Sequence, residues 1–461
     1  MKQNITLLGA GLVGSLLAIL LQKRGYQVSV IERRGDMRKT TVSAGRSINL
    51  AMSVRGWAGL ELADLRKEIE EIAIPMFGRE IHPVEGNTIF QYYGKNKEAI
   101  YSVSRGELNK KLIELAEQKG VQFIFNKRIL DVDIDTNTLT IEDTLTKEVS
   151  VDKNHELIIA SDGAFSALRN AYTKKDRYNY NQFYIEHGYK ELHIPAGPNS
   201  SFLLEKNALH IWPRKNYMLI ALPNIDGSFT CTLFFPFEGN PSFTSLKTKE
   251  EITDFFTTQF PDAIALMPTF IEDYLQNPTS SLVTVKCEPW THKDKNMLIG
   301  DAAHAIVPFY GQGMNAGFED CCQFIEILDA SEDKNWKTIF EAYQKARKQN
   351  GDAVADLALN NFIEMRDKIA SPAFLERKKI EKELGILFPN VFNSVYEMVS
   401  FSHTPYSIAI NSQKAQDKLL ENIMQEGNFD TNISDPVFKT KLNQWMQEYA
   451  EEIDQITASL I

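Results

Sequence analysis

The segment from Ile5 to Glu32 constrains this chain most. Ile5–Leu8 is a short apolar run, Gly9-Ala10-Gly11-Leu12-Val13-Gly14 follows it, Leu12–Leu21 has the character of an apolar helix, Gly25 stops it, and Gln27–Glu32 is rich in β-formers. Strand, glycine turn, helix and strand in that order make a βαβ unit. In such a unit the first glycine allows the tight turn, the second lets a pyrophosphate approach the backbone, and the third lets helix and strand pack closely. Glu32 ends the second strand 18 residues after Gly14, where a carboxylate can accept hydrogen bonds from the hydroxyls of an adenosine ribose. An acid there disfavours a 2′-phosphate, so the expected dinucleotide is FAD or NAD rather than NADP. Three ordinary turn glycines are the plain alternative, and the complete βαβ context outweighs it.

The same stretch could be mistaken for a signal peptide or a membrane span, because Ile5–Leu21 is uncharged and follows Lys2. It is only about 17 residues long, the bottom of the spanning range, and its glycines suit a turn. Over the whole chain, 43% hydrophobic residues among 461 are enough to bury real cores, and roughly 100 to 200 residues per domain gives two to four units. A disordered chain is excluded. With 61 acidic against 50 basic residues and a net charge of −11, no general attraction to nucleic acid or anionic lipid is available, so a small-molecule enzyme is expected. Cys231, Cys287, Cys321 and Cys322 show no C-x-x-C spacing, which predicts no metal site and a reducing, cytoplasmic setting.

The expected fold is α/β: a Rossmann-like dinucleotide-binding domain, an inserted β-sheet substrate domain and a C-terminal helical region. Residues 1–178 carry the βαβ unit, a helix at Leu108–Lys119, a strand at Val121–Phe125, a hairpin around Thr136-Asn137 and a strand at Leu157–Ala160. Residues 179–284 are rich in β segments, with one helix near Lys249–Gln259. Residues 285–335 return to the α/β pattern with a strand at Met297–Ile299 and a helix at Met314–Leu328. Residues 336–461 are helical throughout.

FAD is separated from NAD by Leu298-Ile299-Gly300-Asp301-Ala302-Ala303-His304, where a buried strand delivers an aspartate into a turn of small residues. Asp301 can bind ribityl hydroxyls while the alanines leave room; a helix-capping aspartate is the plain alternative. Gly311-Gln312-Gly313-Met314-Asn315 then opens a helix whose amides and positive dipole end would stabilise negative charge on a reduced flavin. His304 beside that turn is expected to be structural, and no side chain is singled out as catalytic.

With these segments in place the chain resembles the aromatic-hydroxylase group of FAD monooxygenases, and within it the kynurenine 3-monooxygenase family. The resemblance runs nearly the full length. It rests on the N-terminal glycines with Glu32, on Arg46-Ser47-Ile48-Asn49-Leu50-Ala51, on Ser104-Arg105-Gly106-Glu107-Leu108-Asn109, on Ser161-Asp162-Gly163-Ala164 and on the run from Gly300 to Asp320. More specific to the family are Asn361-Phe362-Ile363-Glu364-Met365 and the segment Tyr396–Ser402.

The resemblance implies FAD as resident cofactor, NADPH as a transient co-substrate without its own fold, and hydroxylation of L-kynurenine by O2 to 3-hydroxy-L-kynurenine through a flavin C4a-hydroperoxide. It implies that Gly9, Gly11, Gly14, Glu32, Arg46, Arg105, Asp162, Asp301, Gly311, Gly313, Met314 and Asn315 belong to the cofactor site. It places Arg79, Tyr93 and Tyr396, with Asn361 nearby, on the substrate's amino-acid carboxylate. It implies that Ile220, Leu222, Thr232, Phe234, Pro308, Phe309, Gln312 and Met365 form the pocket wall.

An arginine offers a carboxylate a bidentate, permanently charged partner, and tyrosine hydroxyls add neutral donors. Without the resemblance, Arg79 reads as a surface charge and Leu222, Phe234 and Met365 as ordinary core. Two departures stand out. Tyr310 occupies a position where phenylalanine or histidine is expected, and Lys439–Ile461 is acidic and helical where the eukaryotic enzymes carry an apolar membrane anchor, so no anchor is expected. The alternatives are a monooxygenase of the same group acting on another aromatic, a flavin-dependent reductase, and a flavin fold kept as a non-enzymatic platform.

Overall fold

The computed structural model describes residues 3–39, 48–94, 97–368 and 371–460. At its centre is a six-stranded sheet in the order Thr291–His292, Asn296–Leu298, Leu157–Ala160, Asn4–Leu8, Gln27–Ile31, Gln122–Ile124. All neighbours run parallel except the short Thr291–His292 edge. Parallel strands are covered on both faces and so read as continuous apolar runs, which is why every residue of Leu157–Ala160 is buried. The helix Leu12–Lys23 buries Leu16 through Leu21 without a polar stripe, packed between this sheet and the helices Arg105–Gln118 and Gly313–Ala330. Helix Arg105–Gln118 begins earlier than its hydrophobic period predicts, because the Ser104 hydroxyl accepts from the Glu107 amide and caps it. Beside the central sheet lies an antiparallel meander of Lys127–Asp133, Thr138–Asp143 and Val149–Asp152.

The second large sheet has seven strands: Ser280–Glu288, Asn179–Ile194, Phe229–Pro236, Met218–Pro223, Ala208–Pro213, Gly78–Ile81 and Ile89–Tyr92. The last two depart from the predicted division at 178/179. Gly78–Ile81 runs parallel to Ala208–Pro213, pairing Arg79 with Leu209 and Glu80 with His210, and Ile89–Tyr92 closes the edge. Strands of four residues carry too little period to reveal a partner more than a hundred positions away.

Strict alternation divides this sheet's two faces. Leu219, Ala221, Cys231, Leu233 and Phe235 pack under the helix Lys249–Gln259, whereas Met218, Ile220, Leu222, Thr232 and Phe234 face the opposite way.

The C-terminal region starts with the 28-residue helix Trp336–Ile363, which widens into a π turn over Glu364–Lys368. The helices Pro372–Leu387, Tyr406–Gln425 and Pro436–Leu460 follow and share a core of their own. Among the described residues no helix is long and apolar enough to cross a membrane.

Candidate active site

One elongated cavity of about 760 Å³ runs from the glycine turn of the central sheet to the inner face of the seven-stranded sheet. That volume lies within the usual range for a small-molecule site. One end is built largely from backbone. Gly9 adopts φ +96° and lies so close to Ser161-Asp162 that a Cβ would stand 2.8 Å from the Asp162 Cα. A Cβ on Gly14 would come within 2.1 Å of the Gly9 carbonyl oxygen, while one on Gly11 would meet nothing within 4 Å. The first and third glycines thus close the turn against its own scaffold, and the second leaves space open towards the cavity.

Glu32 reaches back to this turn: its Oε2 accepts from the Ala10 amide at 2.9 Å, and its Oε1 accepts from the Arg34 amide and Nε at 2.9 and 2.8 Å. Burial pushes its carboxyl up, but the Arg34 hydrogen bonds and charge and the Ala10 amide more than offset this, leaving it below the ordinary value and ionised.

Further along the cavity, Asp162 accepts from the Ala167 amide at 2.8 Å through Oδ2, while its buried Oδ1 has no hydrogen-bond partner among the described residues. Asp301 stands open to the cavity with Arg105 nearby. Enclosure by protein raises its carboxyl, with Arg105 pulling the other way. Gly311, at φ +67°, Gly313 and Met314 line the same stretch at the start of helix Gly313–Ala330. The open space over Gly11 and the helix N-terminus fit the negatively charged middle of a dinucleotide, and the unpartnered Asp162 oxygen can accept from one of its hydroxyls.

The other end is built from side chains. Arg79 is buried beneath Tyr93 and Tyr396, its guanidinium carbon 5.6 and 5.2 Å from their ring centroids, and its Nε has no hydrogen-bond partner among the described residues. Tyr396 stacks between Tyr93 and Tyr310 at 5.5 and 5.6 Å. Burial pushes the hydroxyls of Tyr93 and Tyr310 well above their ordinary pKa, so they stay neutral donors. Ile220, Leu222, Thr232 and Phe234 line the sheet side, and Pro308, Phe309, Asn361 and Met365 line the helical side. Asn361 donates to the Phe309 carbonyl at 2.8 Å, and its Nδ2 lies 3.2 Å from the Met365 sulfur in the π turn. The two residues therefore share a face and hold the loop at Phe309.

Similarity to known proteins agrees with this geometry. A family model described as an FAD binding domain matches residues 2–358. The chain is 47% identical to a kynurenine 3-monooxygenase of Flavobacterium psychrophilum over 96% of its own length and 98% of that protein. It is 46% identical to those of Myxococcus xanthus, covering 98% of each chain, and of Dictyostelium discoideum, covering 96% and 99%. The chain belongs to the kynurenine 3-monooxygenase family. Among solved structures, a 2-methyl-3-hydroxypyridine-5-carboxylic acid oxygenase superposes with a TM-score of 0.64 at 18% identity, over 81% of this chain and 95% of that one, which shows a shared fold.

Not every residue expected from the family motifs lines the cavity. Gln312 turns away from the wall: its Oε1 accepts from the Tyr406 hydroxyl at 2.9 Å, because its place at the start of helix Gly313–Ala330 directs it to the C-terminal helices. Asn315 also works behind the cavity, accepting from the Ser53 amide and donating to the Ala51 and Gly311 carbonyls. Gly14 acts through packing, and Arg46 lies outside the described residues.

Leu209, Ile211 and Met218 also line the wall, and Lys127 and Arg128 stand beside the dinucleotide end, although no sequence motif marks them. Met218 was within reach, two residues before Ile220 on the same strand. Asp320, at the end of the Gly300–Asp320 run, has a role that its motif does not announce. This buried carboxylate accepts from the Gly300 amide at 3.1 Å and from Arg347 Nε at 2.7 Å, and pairs with His304 Nε2 at 2.6 Å, so His304 is held inside a charge network behind Asp301.

Proposed function

We propose that this protein hydroxylates L-kynurenine at the ring carbon ortho to the amine, consuming one O2 and one NADPH with a proton and yielding 3-hydroxy-L-kynurenine, water and NADP+. The observation that carries the reading is Arg79: a buried cation with an unpaired Nε, flanked by neutral tyrosine hydroxyls, at the far end of a cavity that begins at the dinucleotide turn. A guanidinium left without a carboxylate partner in a buried site is costly, and a carboxylate-bearing substrate relieves that cost with paired, charge-assisted hydrogen bonds.

Gly11, Glu32, Arg105, Asp162 and Asp301 would hold FAD, with Gly311, Gly313 and Met314 beside its ring system. The bound flavin supplies the redox and oxygen chemistry. The chain's own share is to hold the amino-acid end on Arg79, Tyr93 and Tyr396, to align the aromatic ring against Phe234, Phe309 and Met365, and to exclude water with the lid formed by the Asn361 helix and the Tyr396 segment.

The aromatic amine already activates the ring, so no side-chain base is assigned. NADPH docks without a fold of its own. A cytoplasmic setting is part of the proposal, supported by four unpaired cysteines, three of them buried.

The test is NADPH oxidation by the purified, FAD-loaded protein with and without L-kynurenine, with product identification. Kynurenine-stimulated oxidation with 3-hydroxy-L-kynurenine as product supports the proposal. Stimulation only by a phenol or hydroxybenzoate would replace the substrate, and absence of any aromatic-stimulated oxidation would remove the activity.

A further inference from the structure

Behind the wall that carries Arg79, on the face of the seven-stranded sheet turned away from the cavity, a cluster of polar groups is placed among apolar residues. Alternation puts Arg79 and Ile81 towards the cavity and Glu80 and His82 behind it. The parallel neighbour contributes His210 from the same rear face. Both histidine side chains are buried, whereas Glu80 keeps a fifth of its side chain exposed, so the cluster has a route to solvent. We propose that Glu80, His82 and His210 form a binding site for a divalent transition-metal ion of the zinc class.

The geometry supports this on two levels. One potential ligand atom from each residue lies within 4.8 Å of the other two. His82 Nε2 and His210 Nδ1 are 3.0 Å apart, and His210 Nδ1 is 3.4 Å from Glu80 Oε2. Ligands about 2.0 to 2.1 Å from zinc in tetrahedral array are separated by about 3.3 to 3.4 Å, so small shifts would bring these atoms onto three corners, with water as the fourth.

The outer contacts are those that metal-binding histidines need. The ring nitrogen of His82 that faces away from the cluster, Nδ1, lies 2.7 Å from Asp262 Oδ2, and the corresponding nitrogen of His210, Nε2, lies 2.8 Å from the Glu205 carbonyl. A carboxylate and a carbonyl in these positions take the outer N–H and turn the remaining lone pair of each ring inward. Asp262 is itself held by the Trp212 indole N–H at 3.0 and 2.9 Å, and Trp212 stacks on the His82 ring at 4.1 Å. The set of two imidazoles and one carboxylate suits zinc better than calcium or magnesium, which favour oxygen.

An ion here would join Gly78–Ile81 to Ala208–Pro213 and, through Asp262, to the short helix Pro261–Ile264, fixing the strand that presents Arg79 without touching the reaction.

The test uses the FAD-loaded protein after chelator treatment and dialysis. Zn²⁺ alone is titrated calorimetrically, and Co²⁺ is added separately to read ligand-field bands on the long-wavelength side of the flavin absorption. The expected result is one ion per chain, four-coordinate Co²⁺ bands, and a Zn²⁺ affinity about 10- to 100-fold weaker in Asp262→Asn. Glu80→Gln, a nearly isosteric change at a partly exposed position, should weaken it at least as much. Kynurenine-stimulated NADPH oxidation should persist in both variants. Absence of saturable Zn²⁺ binding, meaning that only a proton fills the gap between the two imidazoles, would overturn the proposal. Binding unaffected by either substitution would overturn it too, by locating the ion elsewhere.

Discussion

The two ends of the cavity are made differently. At the dinucleotide end the turn is shaped by backbone that glycines place, and Glu32 is satisfied within the protein by Ala10 and Arg34. At the substrate end the contacts come from side chains on several segments far apart in sequence, and the strong charge, Arg79, has its Nε unpaired. A turn fixed by backbone geometry suits a resident ligand that rarely leaves. A site with an unsatisfied buried cation suits one that arrives, is oriented and departs, because the ligand itself supplies the missing partner.

Behind Asp301 lies the Asp320 network, and breaking it should have the largest effect. Asp320→Ala removes the carboxylate shared by buried Arg347 and His304, leaving Arg347 with Glu319 as its carboxylate partner, and releases the Gly300 amide, which should cost roughly 3 to 5 kcal/mol of stability in urea unfolding. Asp320 also gives a pH signature. Burial pushes its carboxyl up, but His304 and Arg347 more than reverse this and hold it down at about 2, below the unfolded value of about 3.9. Its contribution is therefore complete above about pH 4 and lost as pH falls towards 2. Denaturation midpoints of wild type and Asp320→Ala should converge across that interval.

At the substrate end, Arg79→Ala should weaken kynurenine binding by about 1.5 to 3 kcal/mol, before any cost of leaving the substrate carboxylate unpaired, with the ratio of FAD to protein unchanged; Arg79→Lys should recover only part of the loss. Equilibrium titration checks both. At the dinucleotide end, Gly14→Ala puts a methyl group against the Gly9 carbonyl oxygen. The overpacking should cost about 1 to 3 kcal/mol and lower the FAD recovered per chain after gel filtration.

The smallest change in affinity belongs to Tyr396→Phe. Loss of one neutral hydroxyl contact should cost only about 0.5 to 1.5 kcal/mol of kynurenine binding. A displacement of the ring by about 1 Å can nevertheless cost on the order of a hundredfold in rate, so the fraction of NADPH oxidation ending as hydrogen peroxide should rise. Peroxide, product and NADPH measured together check it, and wild-type coupling would remove the lid role from Tyr396.

The same difference explains what the sequence revealed. Gly9, Gly11, Gly14 and Glu32 lie in one βαβ unit, and Asp301 follows a buried strand directly, so short-range pattern was enough to propose their roles. Arg79, Tyr93, Asn361 and Tyr396 carry no such local signal, and only family resemblance brought them together. Resemblance alone also placed Gln312 in the wall, where the Tyr406 hydroxyl draws it away.

The transfer of Gly78–Ile81 and Ile89–Tyr92 to the second sheet depends on pairing with distant strands, and the π turn at Met365 has no periodic signature. Asp320 lay inside a recognised motif but showed its part only once Arg347, His304 and Gly300 converged on it.

The two ends of the cavity do separable work, and a double-mutant cycle on Glu32→Gln and Arg79→Ala tests this most directly. The quantity measured is L-kynurenine affinity in FAD-saturated protein. Sites that share no partners should add within about 0.5 kcal/mol, so Glu32→Gln is expected to leave kynurenine affinity nearly unchanged whether residue 79 is arginine or alanine, while loosening FAD. A coupling beyond about 1 kcal/mol between the two positions, or loss of FAD from Arg79→Ala, would contradict it.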